Sequence, residues 1–281
     1  MVHSKKHNAL IVFHAMSNQN FCDTITTFSK TIPSNLITQC VVFDSLPSTN
    51  SKAIQLAQSG NAEGTVVIAL EQVSGRGRFT RVWQSPKGGL YCSLILQPKI
   101  TPDKATLLPL VASLAVSQTI RSYGLCSLIK WPNDVRVHKK KIAGILLESE
   151  IITNKISYVV LGIGINLNTE IHQYSPQLQK SITSLYHELG KAVDYCTFFK
   201  DILLTFDKYY SLFQNNNYER IISEWKQLSD TVGQRVKILT SSAEIVGKAS
   251  DIDSSGFLLV STDTGELKRI MSGDCLHFSE L

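Results

Sequence analysis

Gln72-Val73-Ser74-Gly75-Arg76-Gly77-Arg78-Phe79-Thr80-Arg81-Val82-Trp83 joins two apolar runs, residues 65–70 and 90–96. Each run is short, unbroken and bounded by polar residues, so the whole reads as strand, loop, strand. The connector carries three arginines and two closely spaced glycines. Glycine lets backbone N–H groups approach a bound group, and a guanidinium fork matches phosphate or carboxylate oxygens in pairs, so this composition suits an anion. A solvated basic loop has the same composition, and spacing alone leaves both readings open. Two commoner phosphate loops are excluded. Thr80 stands where a dinucleotide-binding loop places its third glycine, and no Gly-Lys-Ser/Thr follows.

Outward from this loop the pattern is orderly. Upstream, Val41-Val42-Phe43 reads as a strand, and Pro47-Ser48-Thr49-Asn50 as a helix start with Ser48 or Thr49 as N-cap, leading into an amphipathic segment through Ala57. Downstream, residues 103–123 carry Leu107, Leu110, Val111, Leu114 and Val116 at helical spacing, with Pro102 in the first turn, which predicts one buried helix. Leu128-Ile129, Val135-Arg136-Val137, residues 142–147 and residues 158–165 read as further strands, and helices follow from about residue 196 to 227. After Ser229 short alternating runs separated by turn signals such as Asp253-Ser254-Ser255-Gly256 predict a small antiparallel β domain or barrel, with the boundary near residue 230. In the first 40 residues only the run 9–13 looks strand-like; the polar stretch after it has no assignable period, and its role stays open.

Composition narrows the class. Hydrophobic residues make up 43% of the 281, enough to fill a core. The longest nearly unbroken apolar stretch, residues 106–116, falls short of the roughly 18 to 20 residues that span a bilayer. The N-terminal run is too short for a signal-peptide core, so the expected location is the cytoplasm. The six cysteines show no Cys-x-x-Cys pair and no metal-ligand spacing, which fits free thiols in a reducing compartment. A net charge of +5 is compatible with anionic ligands and does not by itself indicate nucleic acid.

Two further constellations carry chemistry. In Lys130-Trp131-Pro132-Asn133-Asp134 the proline holds Trp131 extended and sets Asn133 and Asp134 in a turn, where an Asp suits Mg²⁺ beside nucleotide phosphates. Read alone, the same five residues fit a plain turn with a buried Trp. Lys141 precedes Ile142-Ala143-Gly144 at the mouth of an apolar strand, where an ammonium can neutralise a transferring carboxyl–phosphate group; it also has the solvated basic neighbours His138, Lys139 and Lys140.

Together these motifs resemble the biotin protein ligase family from about Phe43 to the C-terminus. The matching residues, in the family's order, are Ser48-Thr49-Asn50; Gln72 with Gly75-Arg76-Gly77-Arg78, Arg81 and Trp83; Lys130-Trp131-Pro132-Asn133-Asp134; Lys141 with Ala143-Gly144; and Gly162, Gly164 and Asn166. The resemblance implies an α+β fold: a class II synthetase-like mixed sheet with flanking helices over residues 41–229, and a small SH3-like β-barrel over 230–281. It implies a biotin site at Ser48, Thr49, Asn50, Gln72, Gly75, Arg76, Gly77, Arg78, Lys141 and Gly144. It implies an ATP site at Arg78, Arg81, Trp83, Lys130, Asn133, Asp134, Lys141 and Asn166, with Lys141 and Arg78 catalytic and Asp134 holding Mg²⁺.

The implied reaction is ATP-dependent ligation. Biotin and ATP give biotinyl-AMP, and the biotinyl group passes to one lysine of a biotin carboxyl carrier domain. The enzyme is expected to be a monomer or homodimer, without membrane or DNA as partners. Two departures stand out. Phe79-Thr80 replaces a basic-Gly pair often found in the arginine loop, and either Tyr174 or Tyr186 could stack on adenine. The N-terminal 40 residues look too short for a winged helix-turn-helix of on the order of 60, so repressor activity is not expected. Of two rival readings, a lipoate ligase shares the two-step logic, but Gln72 and Ser48-Thr49-Asn50 favour a polar ureido head. A nucleic-acid-binding module would spread its cations over a surface, whereas here the arginines cluster in one connector.

Overall fold

The computed structural model describes residues 18–280; the expected strand at 9–13 lies outside them. Its centre is a seven-stranded sheet in the order β1-β2-β3-β7-β6-β5-β4. These strands are β1 (Gln39–Leu46), β2 (Thr65–Gln72), β3 (Leu90–Leu96), β4 (Ser127–Lys130), β5 (Asp134–Val137), β6 (Lys140–Ile152) and β7 (Lys155–Ile165). Only β1 and β2 pair in parallel; the other neighbours are antiparallel. A parallel pair needs a crossover, supplied here by α2 (Thr49–Gln58).

The sheet is covered on both faces, which explains why β2 and β3 read as unbroken apolar runs. Alternation along β2 sends Val66, Ile68 and Leu70 into the main core and Val67 to the opposite face, where it meets Ala53 and Ala57 of α2 with Ile95 and Val160. The main core is closed by α1 (Asn18–Ser29), α3 (Leu108–Ser122), α4 (Tyr195–Gln214) and α5 (Tyr218–Leu228). Part of the N-terminal stretch that showed no period is thus the helix α1, which buries Cys22 and Ile25.

The single helix expected over 103–123 is two. A short turn at Pro102–Ala105 stops, and α3 begins at Leu108. Pro109 has no N–H to donate to the Ala105 carbonyl, so the helix cannot run through and restarts with proline in its first turn. Thr106 fills the break, its hydroxyl donating to Asp103 O and Ser255 O.

The remaining strands form a five-stranded antiparallel sheet in the order β11-β10-β9-β8-β12. They are β8 (Arg235–Leu239), β9 (Glu244–Ile252), β10 (Leu258–Thr262), β11 (Leu267–Ile270) and β12 (Asp274–His277). Its apolar residues Val236, Ile238, Leu258 and Val260 join the same core as the large sheet. The seam runs through the Lys130–Asp134 turn. The Trp131 backbone N–H donates to Thr231 Oγ1 at 3.0 Å and its indole N–H to Gly256 O at 3.1 Å. Lys130 and Arg136 both pair with Glu280, at 2.9 and 2.5 Å. The buried tryptophan therefore fastens the small sheet to the large one and fixes the turn that carries Asn133 and Asp134.

Candidate active site

All of the residues expected in the site except Gly75 border one cavity of about 420 Å³. Gly75 lies just outside, its carbonyl accepting the Trp83 N–H at 2.8 Å and closing the arginine loop into a hairpin.

One wall is polar and internally bonded. Ser48 is the N-cap of α2, its hydroxyl accepting from the Ser51 N–H at 3.4 Å. The Gln72 carbonyl accepts from the Thr49 N–H at 2.7 Å and the Thr49 hydroxyl at 3.1 Å, while its amide donates to Ser85 Oγ at 2.8 Å. Fixing a part-buried amide at both ends sets which way its donor and acceptor point. Asn50 is held likewise. Its Oδ1 accepts from Ser93 Oγ at 2.6 Å and its Nδ2 donates to Glu148 Oε2 at 2.8 Å. The side chain lies directly over Gly162, where any Cβ would stand 2.1 Å from Asn50 Oδ1.

The arginine loop forms the rim, and its three cations are held differently. Arg76 pairs with Glu148 at 2.7 Å and Arg81 with Asp274 at 2.6 Å. Arg78 instead donates to neutral acceptors: Asn133 Oδ1 at 3.3 Å, Ser272 Oγ at 3.0 Å and Gly273 O at 3.2 Å. Burial pulls the Arg78 guanidinium down from its ordinary value, partly offset by Asp274. Arg78 is thus the loop cation whose charge no bonded carboxylate cancels, which suits it to an anionic ligand. Phe79 and Thr80 take the left-handed region, φ 52° and 63°, and the Phe79 ring packs against both Arg78 and Arg81, with guanidinium carbons 4.7 and 5.8 Å from its centroid.

The floor is built from glycines and Trp83. Gly144 and Gly164 face each other across β6 and β7, and the indole lies against both: a Cβ would come within 2.9 Å of it at Gly144 and 2.6 Å at Gly164. The Trp83 indole N–H is buried without an acceptor. Lys141 Nζ stands 5.0 Å from the Trp83 ring and 2.6 Å from Asp134 Oδ1. An ammonium, a carboxylate and an aromatic face therefore meet on the cavity lining.

Two expected nucleotide contacts are already engaged inside the protein. The Lys130 ammonium is bonded to Glu280, and the Asn166 amide is spent on Thr183 O and the Tyr174 hydroxyl, both at 2.9 Å. Both residues border the cavity, but their polar atoms hold its walls together. Tyr174 is also part of the lining, whereas Tyr186 is not. Sequence reasoning missed Ser85, Ser93, Glu148 and Asp274. Ser93, Glu148 and Asp274 lie far in sequence from the groups they hold, and Ser85, just past the arginine loop, belongs to no motif.

All six cysteines are free, and burial pushes Cys40 and Cys196 up to about 11 and Cys92 and Cys275 up to about 12.

Residues 42–166 match the Biotin/lipoate A/B protein ligase family, and residues 231–277 the Biotin protein ligase C terminal domain. Over 236 residues the chain is 37% identical to the bifunctional ligase/repressor BirA of Bacillus subtilis, covering 83% of this chain and 72% of that protein. It is 32% identical to the biotin–[acetyl-CoA-carboxylase] ligase of Paracoccus denitrificans over 226 residues, 78% of this chain and 92% of that one. Among solved structures it is similar to the biotin protein ligase from Aquifex aeolicus in complex with biotin and ATP, with TM-score 0.73, 28% identity, and coverage of 85% of this chain and 97% of that one.

Proposed function

The chain belongs to the biotin protein ligase family, and on that premise we propose how its cavity activates biotin with ATP and passes it to a lysine of a biotin carboxyl carrier domain. One observation carries the assignment of roles: a polar, pre-bonded wall at Thr49 and Gln72 and the Lys141 ammonium border the same cavity as Arg78.

In this reading Ser48, Thr49, Asn50 and Gln72 receive the ureido ring, with Gly75, Arg76, Gly77 and Gly144 enclosing the vitamin. Orienting these groups before binding lowers the cost of ordering them around a small rigid ligand. Arg78, Arg81, Trp83, Asn133 and Asp134 serve the nucleotide, with Lys130 and Asn166 shaping its side of the cavity. In the first step a biotin carboxylate oxygen bonds to the α-phosphorus of ATP and pyrophosphate leaves. Negative charge crowds where carboxylate meets phosphate, and Lys141 and Arg78 are placed to offset it. In the second step a neutral lysine amine attacks the acyl carbon of biotinyl-AMP, AMP leaves, and the new amide sheds a proton. A loop folded over the adenylate excludes water, which would otherwise hydrolyse it.

Mg²⁺ fits this donor set in one way only. Among the described residues no cluster of three acidic, histidine or cysteine side chains forms a cage, but Asp134 presents one carboxylate to the cavity. One protein carboxylate with substrate phosphates is a usual Mg²⁺ arrangement, so Asp134 would hold an ion that arrives with the nucleotide and screens its phosphates. The catalytic unit is residues 41–229 and the small β unit 230–281. No described helix is long and apolar enough to cross a membrane, and the free thiols suit a reducing cytoplasm. The test is ATP–pyrophosphate exchange with purified protein: stimulation by biotin supports the reading, and stimulation by lipoate alone overturns it.

A further inference from the structure

Glu148 does not border the cavity, yet it bonds to two residues that do. It lies on β6 opposite Val160 of β7. One carboxylate oxygen, Oε2, accepts from Asn50 Nδ2 at 2.8 Å; the other, Oε1, pairs with Arg76 Nη2 at 2.7 Å. Asn50 belongs to the first turn of α2, on the wall assigned to the vitamin. Arg76 opens the arginine loop. A single side chain therefore joins a rigid wall to the segment that must order over the bound intermediate.

The surroundings leave Asn50 little choice of partner. Its Oδ1 is occupied by the Ser93 hydroxyl at 2.6 Å; Ser93 Oγ is also 2.8 Å from Thr49 Oγ1, and the Thr49 N–H donates to Gln72 Oε1 at 2.7 Å. The chain Ser85, Gln72, Thr49, Ser93, Asn50, Glu148, Arg76 is continuous, from the vitamin side of the cavity to its rim. Gly162 makes the path sterically possible, because a side chain there would expel the Asn50 amide. Nothing else among the recorded bonds joins Arg76 to the wall. The ion pair also turns the Arg76 guanidinium toward a carboxylate and so sets it apart from Arg78, whose charge stays available.

We infer that Glu148 is a positioning residue that couples occupancy of the vitamin pocket to closure of the arginine loop, by holding Asn50 with one oxygen and Arg76 with the other. This rests on reading the cavity as a biotin site. A ligand that orients Asn50 steadies Glu148, and a steadied Glu148 holds Arg76 and the start of the loop. The consequence falls on biotin and on retention of biotinyl-AMP. On the nucleotide side Asn133, Asp134 and Lys141 have no bond to Glu148, and the loop residues Arg78 and Arg81 keep their own tethers at Ser272, Gly273 and Asp274.

The experiment uses full-length wild type, Glu148→Gln and Glu148→Ala. It measures the KM for biotin, the KM for ATP, and the release of preformed biotinyl-AMP. Glutamine keeps an acceptor for Asn50 but loses the charge facing Arg76, a half-exposed pair, so release should rise about threefold with little change in the biotin KM. Alanine removes both bonds, and the biotin KM should rise about tenfold, as for a lost hydrogen bond to a charged group, with faster release as well. The ATP KM should stay within about twofold in both, because Arg78 and Arg81 remain bonded to Ser272, Gly273 and Asp274 and the other nucleotide groups lie outside the relay. Should Glu148→Ala fail to fold, the near-isosteric Glu148→Gln carries the test on release alone. Unchanged biotin KM and release in folded variants, or an ATP KM that moves as far as the biotin KM, overturns the proposal. A wild type without biotin-dependent exchange would instead overturn the biotin site itself, whatever the variants do.

Discussion

Lys141 Nζ lies 2.6 Å from Asp134 Oδ1, and both side chains remain about a third exposed, at 31% and 27%. The two residues come from strands that pair side by side, β5 and β6, so the backbone sets their separation. The ammonium is therefore held at the cavity before substrate arrives, and in the proposed reaction it exchanges an internal carboxylate for substrate oxygens. Lys141→Ala should lower biotin-dependent exchange by about 10²- to 10³-fold, the usual scale for deleting a pre-placed charge. Its melting temperature should stay close to wild type, since a partly exposed pair contributes little to stability. Exchange within a few-fold of wild type would remove Lys141 from its role.

Arg78 joins the loop to the small sheet through Ser272 Oγ and Gly273 O. Arg78→Gly should leave the loop untethered at that point and add flexibility at a residue next to the left-handed Phe79. Biotinyl-AMP should then escape, and lysines on bystander proteins should be labelled in a mixed incubation. Strict confinement of label to the carrier domain would contradict this.

Gly162→Ala places a methyl group 2.1 Å from Asn50 Oδ1, a distance no adjustment of the methyl relieves. Asn50 must move, losing its bonds to Ser93 and Glu148. The expected cost is about 1 to 3 kcal/mol in stability, together with a raised biotin KM. Thermal melts and exchange kinetics on the same preparation check both, and an unaltered biotin KM would show that Asn50 does not face the vitamin.

His277 is buried at the seam, beside Thr231 Oγ1 and Glu280, with Lys130 and Arg136 close by. Burial first, and then the Lys130 charge, hold its imidazole below the ordinary 6.5. The unfolded chain binds this proton more readily than the folded one, so the stabilising contribution is present above pH 6.5 and is lost as pH falls through the folded value. Glu280, held low by Lys130 and Arg136 against its burial, adds a loss of the same sign at still lower pH. The melting temperature should therefore fall on acidification below pH 6.5, and His277→Gln should flatten the upper part of that fall. An identical slope in the variant would place the titration elsewhere.

The strands were legible because β2, β3 and β7 are buried on both faces and have few polar interruptions. The break at Thr106–Leu107 was written in Pro109, but an apolar period running straight across it masked the stop. Helix α1 was not legible. Among its described side chains Cys22 and Ile25 are buried and Phe21 packs against the core, too few to set a period among Thr and Ser. In the site, residues inside dense motifs could be named in advance. Glu148, Ser93 and Asp274 could not, because what they do depends on partners 98, 43 and 193 positions away that only the sheet order brings near. Lys130 and Asn166 show the converse. Their motifs mark the right place in the chain, while their polar atoms are bonded to Glu280, Thr183 and Tyr174.

In the proposed function this cavity makes biotinyl-AMP and delivers biotin to one lysine. Intact-mass measurement of a biotin carboxyl carrier domain, after incubation with the protein, biotin and Mg-ATP, tests it most directly. The expected result is a single biotinyl addition at one lysine that requires both biotin and ATP. A carrier left unmodified by active, folded protein, or modified when lipoate replaces biotin and not by biotin, would contradict it.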